Sequence, residues 1–276
     1  MTEKKRILIV TQEMEPYTEM SIIAQIARKL PQFVQEKGME IRVLMPRFGT
    51  INERRHRLHE VVRLSGMNII VDDDDYPLII KVASLPGARM QVYFLDNDEF
   101  FKRKQVFHGK DEEPFKDNAE RMIFFCKGVI ETVRKFGWPP DIIHCHGWMT
   151  SLIPLYIREA YKNEPLFENS KIIYSAYDKS LESTFPENFV EKAAINNLEA
   201  ENLASYHTGA NITLDNGAIV NSDAVILGSE SPAETVTKAL AENEKPTLDF
   251  QPIEDGFLNS YIEFYNSLLE TEAEVE

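Results

Sequence analysis

The chain has 276 residues, 43% of them hydrophobic, which is enough for one sizeable core or two small ones. Its formal net charge of −15 argues against two polyanionic partners, a nucleic-acid backbone and an anionic membrane, while leaving a neutral ligand open. Two cysteines, Cys126 and Cys145, give no disulfide framework and fit a reducing cytosol; with no run of transmembrane length and no signal-peptide pattern, a cytoplasmic protein is expected.

In chain order, residues 5–10 read as a buried first strand. A helix follows over 20–37, with Ile22, Ile23, Ile26, Ala27, Leu30, Phe33 and Val34 at helical spacing and Gly38 as its stop. Residues 41–45 form the second strand, and this β-α-β unit must cross over right-handed with parallel strands. Segments 68–71, 78–82 and 90–95, separated by turns at 72–77 and 86–87, predict a meander. The four aspartates Asp72 to Asp75 lack the spaced ligands and glycine of a calcium loop, so a solvated turn is the expectation rather than a metal site.

A helix is expected over 115–136, and after Pro139-Pro140 comes the stretch around which the chain is organised. Asp141 to Cys145 reads as a short buried strand, and the turn beyond it offers His146, Trp148 and Thr150 before an apolar helix over 151–158. A strand, a tight turn and a helix place that turn at the carboxyl edge of a parallel sheet, where α/β proteins bind ligands. His144 and His146 share one face of the strand. Two readings are open: both are held in the interior by hydrogen bonds, or His146, at the strand end, looks into a cleft.

Further strands are expected at 171–176 and 223–227, a helix over 187–205, and another opened by Ser231-Pro232. The domain is expected to cover 1–243, with a linker at 244–256. A C-terminal helix over 257–270, carrying Phe257, Tyr261, Phe264, Tyr265 and Leu268, is expected to pack back on it, with a disordered acidic tail at 271–276. Strands and helices alternate without an internal repeat, so the class is α/β with a Rossmann-like, mainly parallel sheet and helices on both faces.

Several motifs in order carry a family resemblance: Val43-Leu-Met-Pro46-Arg47-Phe48, Tyr93-Phe-Leu-Asp96-Asn97, Asp117-Asn118-Ala-Glu120-Arg121, Pro140-Asp141-Ile-Ile-His144-Cys-His146-Gly-Trp148 and Asn221-Ser222-Asp223-Ala224-Val225. Together they make the chain resemble the N-terminal half of bacterial glycogen and starch synthases. These are retaining glucosyltransferases of the two-Rossmann-domain (GT-B) type that move glucose from ADP-glucose to an α-1,4-glucan. The resemblance implies a second nucleotide-binding domain, and the chain ends before one of that size.

Three departures stand beside the matches. Where the family cradles the donor diphosphate with Lys-Thr-Gly-Gly-Leu, this chain has Glu19, Met20, Ser21, Ile22 and Ile23. Glycines admit the backbone to phosphate and a lysine supplies charge worth up to roughly 4 kcal/mol at 4 Å and an effective dielectric near 20. The family's His-x-His-Asp-Trp-His reads here as His144-Cys145-His146-Gly147-Trp148-Met149, and its His-Asn at the next strand end becomes Tyr177 and Asp178. A glucosyltransferase must stabilise positive charge on the sugar and negative charge on the leaving diphosphate, and the groups serving both are replaced.

Two functional classes follow. One is a glucosyltransferase half-site, with a partner chain supplying the rest and with His146, Tyr177 and Asp178 as the catalytic candidates. The other is a non-catalytic glucan-binding or regulatory protein. Tyr17, Trp148 and Tyr177 would stack weakly on an α-1,4-glucan or maltooligosaccharide, and Glu19 would stand in the old substrate-binding motif. No cofactor or metal is expected. A His144-Cys145-His146 zinc site fails because successive strand residues diverge, turning Cys145 away from the two histidines, and no second ligand pair appears; no Gly-x-Ser-x-Gly elbow occurs.

Overall fold

The computed structural model describes residues 4–178, 181 and 184–270. Strand β1 (Arg6–Thr11) is buried along most of its length, and helix α1 (Ile22–Glu36) returns the chain to the parallel strand β2 (Glu40–Pro46). After a short helix α2 (Glu53–His56) come β3 (His59–Glu60), β4 (Met67–Val71), β5 (Asp74–Ser84) and β6 (Gln91–Asp96), followed by the single turn α3 (Asp98–Phe101). Strands β4, β5 and β6 form the predicted antiparallel meander, and β6 then joins the main sheet parallel to β2. The turn between β4 and β5 is confined to Asp72 and Asp73, with Asp72 at φ +57°. Asp74 to Pro77 belong to the strand, because each pairs with a residue of β4.

The long helix α4 (Asn118–Phe136) starts three residues later than its apolar pattern predicts. Phe115 is held in extended pairing, its amide donating to the Phe107 carbonyl. β7 (Ile142–His146) is wholly buried. The apolar stretch beyond it is not one regular helix. A 3-10 turn at Trp148–Thr150 leads into α5 (Ile153–Leu155) around Pro154, and a π turn at Tyr156–Ala160 closes with the Tyr161 amide on the Tyr156 carbonyl at 2.8 Å. β8 (Lys171–Ala176) coincides with its predicted span.

The helix expected over 187–205 is broken. Only α6 (Phe189–Ala193) and a 3-10 turn at Ala200–Tyr206 form, since Asn196 adopts a left-handed φ of +56° that no helix tolerates. The hairpin β9 (His207–Thr208) and β10 (Asn211–Ile212) and the helix α7 (Leu214–Asn221) follow, hidden in sequence by the turn-like Asp215-Asn216-Gly217. β11 (Ala224–Leu227) and α8 (Glu234–Asn243) come next, and α8 opens two residues beyond Pro232. The linker then contributes a strand, β12 (Thr247–Leu248), parallel to β11, before α9 (Phe257–Glu270).

The main sheet runs β12-β11-β8-β7-β1-β2-β6-β5-β3, with β4 also on β5. Every pair from β12 to β6 is parallel and the β5 pairings are antiparallel, which makes a mainly parallel α/β sheet. β1 and β7 lie side by side in its middle, so their carboxyl ends share one edge. Helix α9 buries Phe257, Tyr261, Ile262, Tyr265 and Leu268 and touches α1 and β12. The acidic tail expected at 271–276 lies outside the described residues. Among the described residues no helix is long and apolar enough to cross a membrane.

Candidate functional site

At the end of β1 the chain turns so that the buried Glu13 carboxylate faces the N-terminus of α1. It accepts hydrogen bonds from the Met20 amide (2.6 Å), the Ser21 amide (2.9 Å) and the Ser21 hydroxyl (2.6 Å). Ser21 caps the helix by accepting from the Ile23 amide at 3.2 Å. A carboxylate and a serine here satisfy amides that have no partner inside the helix and complement its dipole. The amides of Met20 and Ser21 are therefore already committed.

At the end of β7 the turn depends on Gly147. Its φ is +85°, and a Cβ there would sit 2.3 Å from the Gln12 side chain. The turn delivers Trp148 between two aromatic rings, Phe107 at 4.9 Å and Phe185 at 5.7 Å, leaving 4% of it exposed. Phe107 itself is placed from a distance. The buried Arg121 donates to the carbonyls of Phe100 (2.8 Å) and Val106 (2.7 Å), and Asn118 donates to that of Phe107 (3.0 Å). The guanidinium lies 5.4–6.0 Å from the ring centres of Phe48, Phe101, Phe107 and Phe115. Burial lowers its pKa to about 10, so it remains charged at neutral pH.

Beyond β8, Tyr177 lies across Gly228, where a Cβ would meet its ring at 2.4 Å, and its hydroxyl is 3.0 Å from His146 Nδ1. These segments meet in a cleft of about 580 Å³. From β1 and α1 come Gln12, Glu13 and Met20 to Ile23. The loop before α4 supplies Val106, Phe107 and His108, and the strand ends supply Trp148, Tyr177, Asp178 and Leu181. The lining is mixed polar and apolar, and the described residues around it include no lysine or arginine.

Among the residues picked out from sequence, Trp148, Tyr177 and Asp178 are brought together in this cleft, and so is the Met20–Ile23 stretch of the altered donor motif. Tyr17 is placed elsewhere. It is 6% exposed, packed edge-on against Phe94 and His56, with its hydroxyl donating to Ser84 at 3.4 Å. Glu19 is exposed and does not line the cleft. His146 is fully buried behind Tyr177. Gln12, Glu13, Val106, Phe107, His108 and Leu181 carry no motif that marks them in the sequence; the loop residues reach the wall only through the Arg121 and Asn118 clamp.

His144 and His146 stack with ring centres 3.8 Å apart. His144 Nδ1 is 2.6 Å from the Tyr265 hydroxyl of α9, and its Nε2 is 2.7 Å from Ser175. His146 Nε2 has no hydrogen-bond partner among the described residues. Burial drives the His146 pKa down to about 3, and burial together with the neighbouring imidazole pushes His144 well below the ordinary value. Both rings are neutral at pH 7, and neither opens on the cleft. Burial likewise raises the Tyr177 hydroxyl well above its usual range, leaving it a hydrogen-bonding group rather than a nucleophile. Among the described residues no group of three histidine, cysteine or carboxylate side chains is placed to hold a metal.

A family model described as the starch synthase catalytic domain matches residues 6–247. The glycogen synthase of Chlorobium luteolum is 35% identical over 236 residues, covering 84% of this chain and 47% of that protein. The glycogen synthase of Chlorobium phaeobacteroides is 38% identical over 190 residues, or 68% of this chain and 38% of its own length. Among solved structures, the catalytic domain of starch synthase IV from Arabidopsis thaliana, bound to ADP and acarbose, superposes with a TM-score of 0.74. At 18% identity over 90% of this chain and 51% of that one, this likeness concerns the fold. The chain spans about half the length, or less, of the curated relatives it matches.

Proposed function

The chain belongs to the starch synthase catalytic domain family, and from that premise we propose that its cleft engages an α-1,4-glucan without transferring glucose from ADP-glucose. The observation that carries this reading is the convergence of all three altered motifs on a single cleft. Ser21 and Ile22, Trp148 beside Gly147, and Tyr177 with Asp178 come from stretches far apart in sequence and line the same space.

The chemistry of that space favours a neutral ligand over a diphosphate. Glu13 already accepts from the amides of Met20 and Ser21, immediately before α1, so an incoming phosphate meets a carboxylate at the helix mouth where it needs donors. Ile22 presents a branched side chain where close backbone approach is required. Glu19, being exposed, repels through a screened interaction smaller than the roughly 4 kcal/mol of a close pair. The groups facing the reacting centre offer no substitute. His146 is neutral and covered, and no described cation stands ready for the leaving diphosphate. Aromatic and hydroxyl groups at the cleft suit the apolar faces and hydroxyls of glucose units.

Titration with ADP-glucose at low ionic strength, where charge effects are largest, is expected to show no saturation below millimolar concentration. A micromolar Kd would overturn the reading. Maltohexaose is expected to bind weakly, and Trp148→Ala to weaken it further. Because Trp148 is 96% covered by its neighbours, that change also opens a cavity costing about 3–5 kcal/mol of stability. Trp148→Phe, which keeps most of the packing, is the folded control and is expected to lose several-fold in affinity. Unchanged affinity in both variants would assign Trp148 to the core alone.

A further inference from the structure

A second cleft, of about 540 Å³, opens between the β9–β10 hairpin, the start of α7 and one face of α8, and no role described so far uses it. Its volume falls in the range of small-ligand sites. The hairpin turns through Gly209, whose φ of +60° suits a two-residue loop, and so sets Thr208 and Asn211 side by side as a cross-strand pair. Helix α8 contributes Thr235, Lys238 and Glu242, which share one face at spacings of three and four residues. Phe185 forms an aromatic wall.

The lining chooses among ligand classes. The side chains of Thr208, Asn211 and Thr235 are exposed and make no hydrogen bond to another described residue, so donors and acceptors face the cavity uncommitted. Lys238 and Glu242 pair at 3.9 Å, giving the cleft one charge of each sign and no net charge. An anion meets Glu242 and a cation meets Lys238. An apolar ligand would strip water from hydroxyls and an amide without replacing their hydrogen bonds. A neutral polyhydroxylated chain satisfies all three conditions.

The two clefts also share a wall. Phe185 lines the second cleft and makes an edge contact with Trp148, which lines the first, at a centroid separation of 5.7 Å. Resting on the glucan reading of the first cleft, we propose that the second is a further subsite for the same glucan chain, occupied by sugar units beyond those at Trp148. Engagement of the second cleft is then intramolecular, and the affinity gain comes from effective concentration rather than from strong single contacts.

Calorimetric titrations with maltotriose and with maltoheptaose test this. The wild-type chain is expected to bind maltoheptaose at least about 10-fold more tightly than maltotriose, in line with the gain from linked sites. The double variant Asn211→Ala/Thr235→Ala removes only exposed polar groups, so the fold is retained. It is expected to lose that advantage while leaving maltotriose affinity unchanged. Trp148→Phe is expected to weaken both oligosaccharides. If maltoheptaose binding is unchanged in the double variant while Trp148→Phe weakens it, the second subsite is overturned and the first-cleft reading stands. If the double variant weakens binding and Trp148→Phe does not, the second cleft is upheld as a glucan site and the first-cleft reading falls. If neither oligosaccharide binds the wild-type chain, both are overturned.

Discussion

Removing everything after Pro252 is expected to yield a protein that unfolds or aggregates under conditions where the 276-residue chain is folded. The loss is one of burial. Helix α9 places Phe257, Tyr261, Ile262, Tyr265 and Leu268 against the rest of the domain, with Tyr265 fully buried and Tyr261 nearly so. Each large apolar side chain contributes about 1.5–3 kcal/mol on burial. Five of them sum to something on the order of 10 kcal/mol, an upper figure because the unfolded chain is itself partly compact. That is comparable to the whole stability of an ordinary domain, about 5–15 kcal/mol. The truncation also strips the Tyr265 hydroxyl from His144 Nδ1, leaving a buried imidazole nitrogen without its partner at a cost of about 1–3 kcal/mol. Tyr265→Phe isolates that last contribution and is expected to lower the midpoint of denaturation without aggregation. A truncated chain that stays monomeric with an unchanged Tm would show that α9 contributes nothing to this domain's stability.

What the sequence displays is what burial writes into local periodicity. β1 and β8 are largely apolar runs because strands in the middle of a parallel sheet are covered on both faces, and β7, equally buried, shows it only in its Ile142-Ile143 start. The stripe of α9 is legible at helical spacing for the same reason, although Phe264 on that stripe is only partly buried. Where tertiary structure overrides local preference the pattern goes silent. Asn196 turns left-handed in the middle of a helical composition, and Tyr156–Ala160 widens into a π turn. β12 is two residues long, too short for any period, yet it completes the sheet edge.

The cleft divides along the same line. The stretches at 20–23 and 177–178 stand out in sequence because each departs from a motif whose chemistry is legible, and Trp148 because it is the residue kept between two changed ones, Gly147 and Met149. The wall at 106–108 has no such mark; it is positioned by Arg121, through carbonyls 15 and 21 residues away in sequence. The cover that Tyr177 places over His146, and the cap that Glu13 places on α1, are contacts between segments that no single-sequence period relates.

Acidification is expected to destabilise the protein steeply between about pH 6.5 and pH 3, through His144 and His146. In the unfolded chain both imidazoles titrate near the ordinary value of about 6.5. In the folded chain they are fully buried, stacked on one another, and held neutral well below it, His146 to about 3. The folded values are depressed, so above pH 6.5 neither state binds the protons and stability is at its full value. As pH falls below 6.5 the unfolded state takes up two protons that the native state refuses, and stability drops until the native rings themselves protonate. Two protons correspond to a slope of up to about 3 kcal/mol per pH unit.

The surroundings offer no relief. The groups that approach the pair are the hydroxyls of Ser175, Tyr177 and Tyr265 and the ring of Tyr261, with Glu13 a charged group that acts on Tyr177. Its carboxylate is already engaged by the amides of Met20 and Ser21 at the mouth of α1. Relief of self-repulsion in a chain of net charge −15 works in the opposite direction as carboxylates protonate, so the histidine contribution is read by difference. Urea midpoints between pH 7.5 and 4.5 are expected to fall less steeply in His146→Gln than in the wild-type chain, by about one proton, or roughly 1.4 kcal/mol per pH unit. The imidazole C2–H resonances of both residues are expected to stay at their neutral positions down to pH 5. Equal slopes in the two proteins, or titration of either resonance near 6.5, would show that this pair does not set the acid limit of the fold.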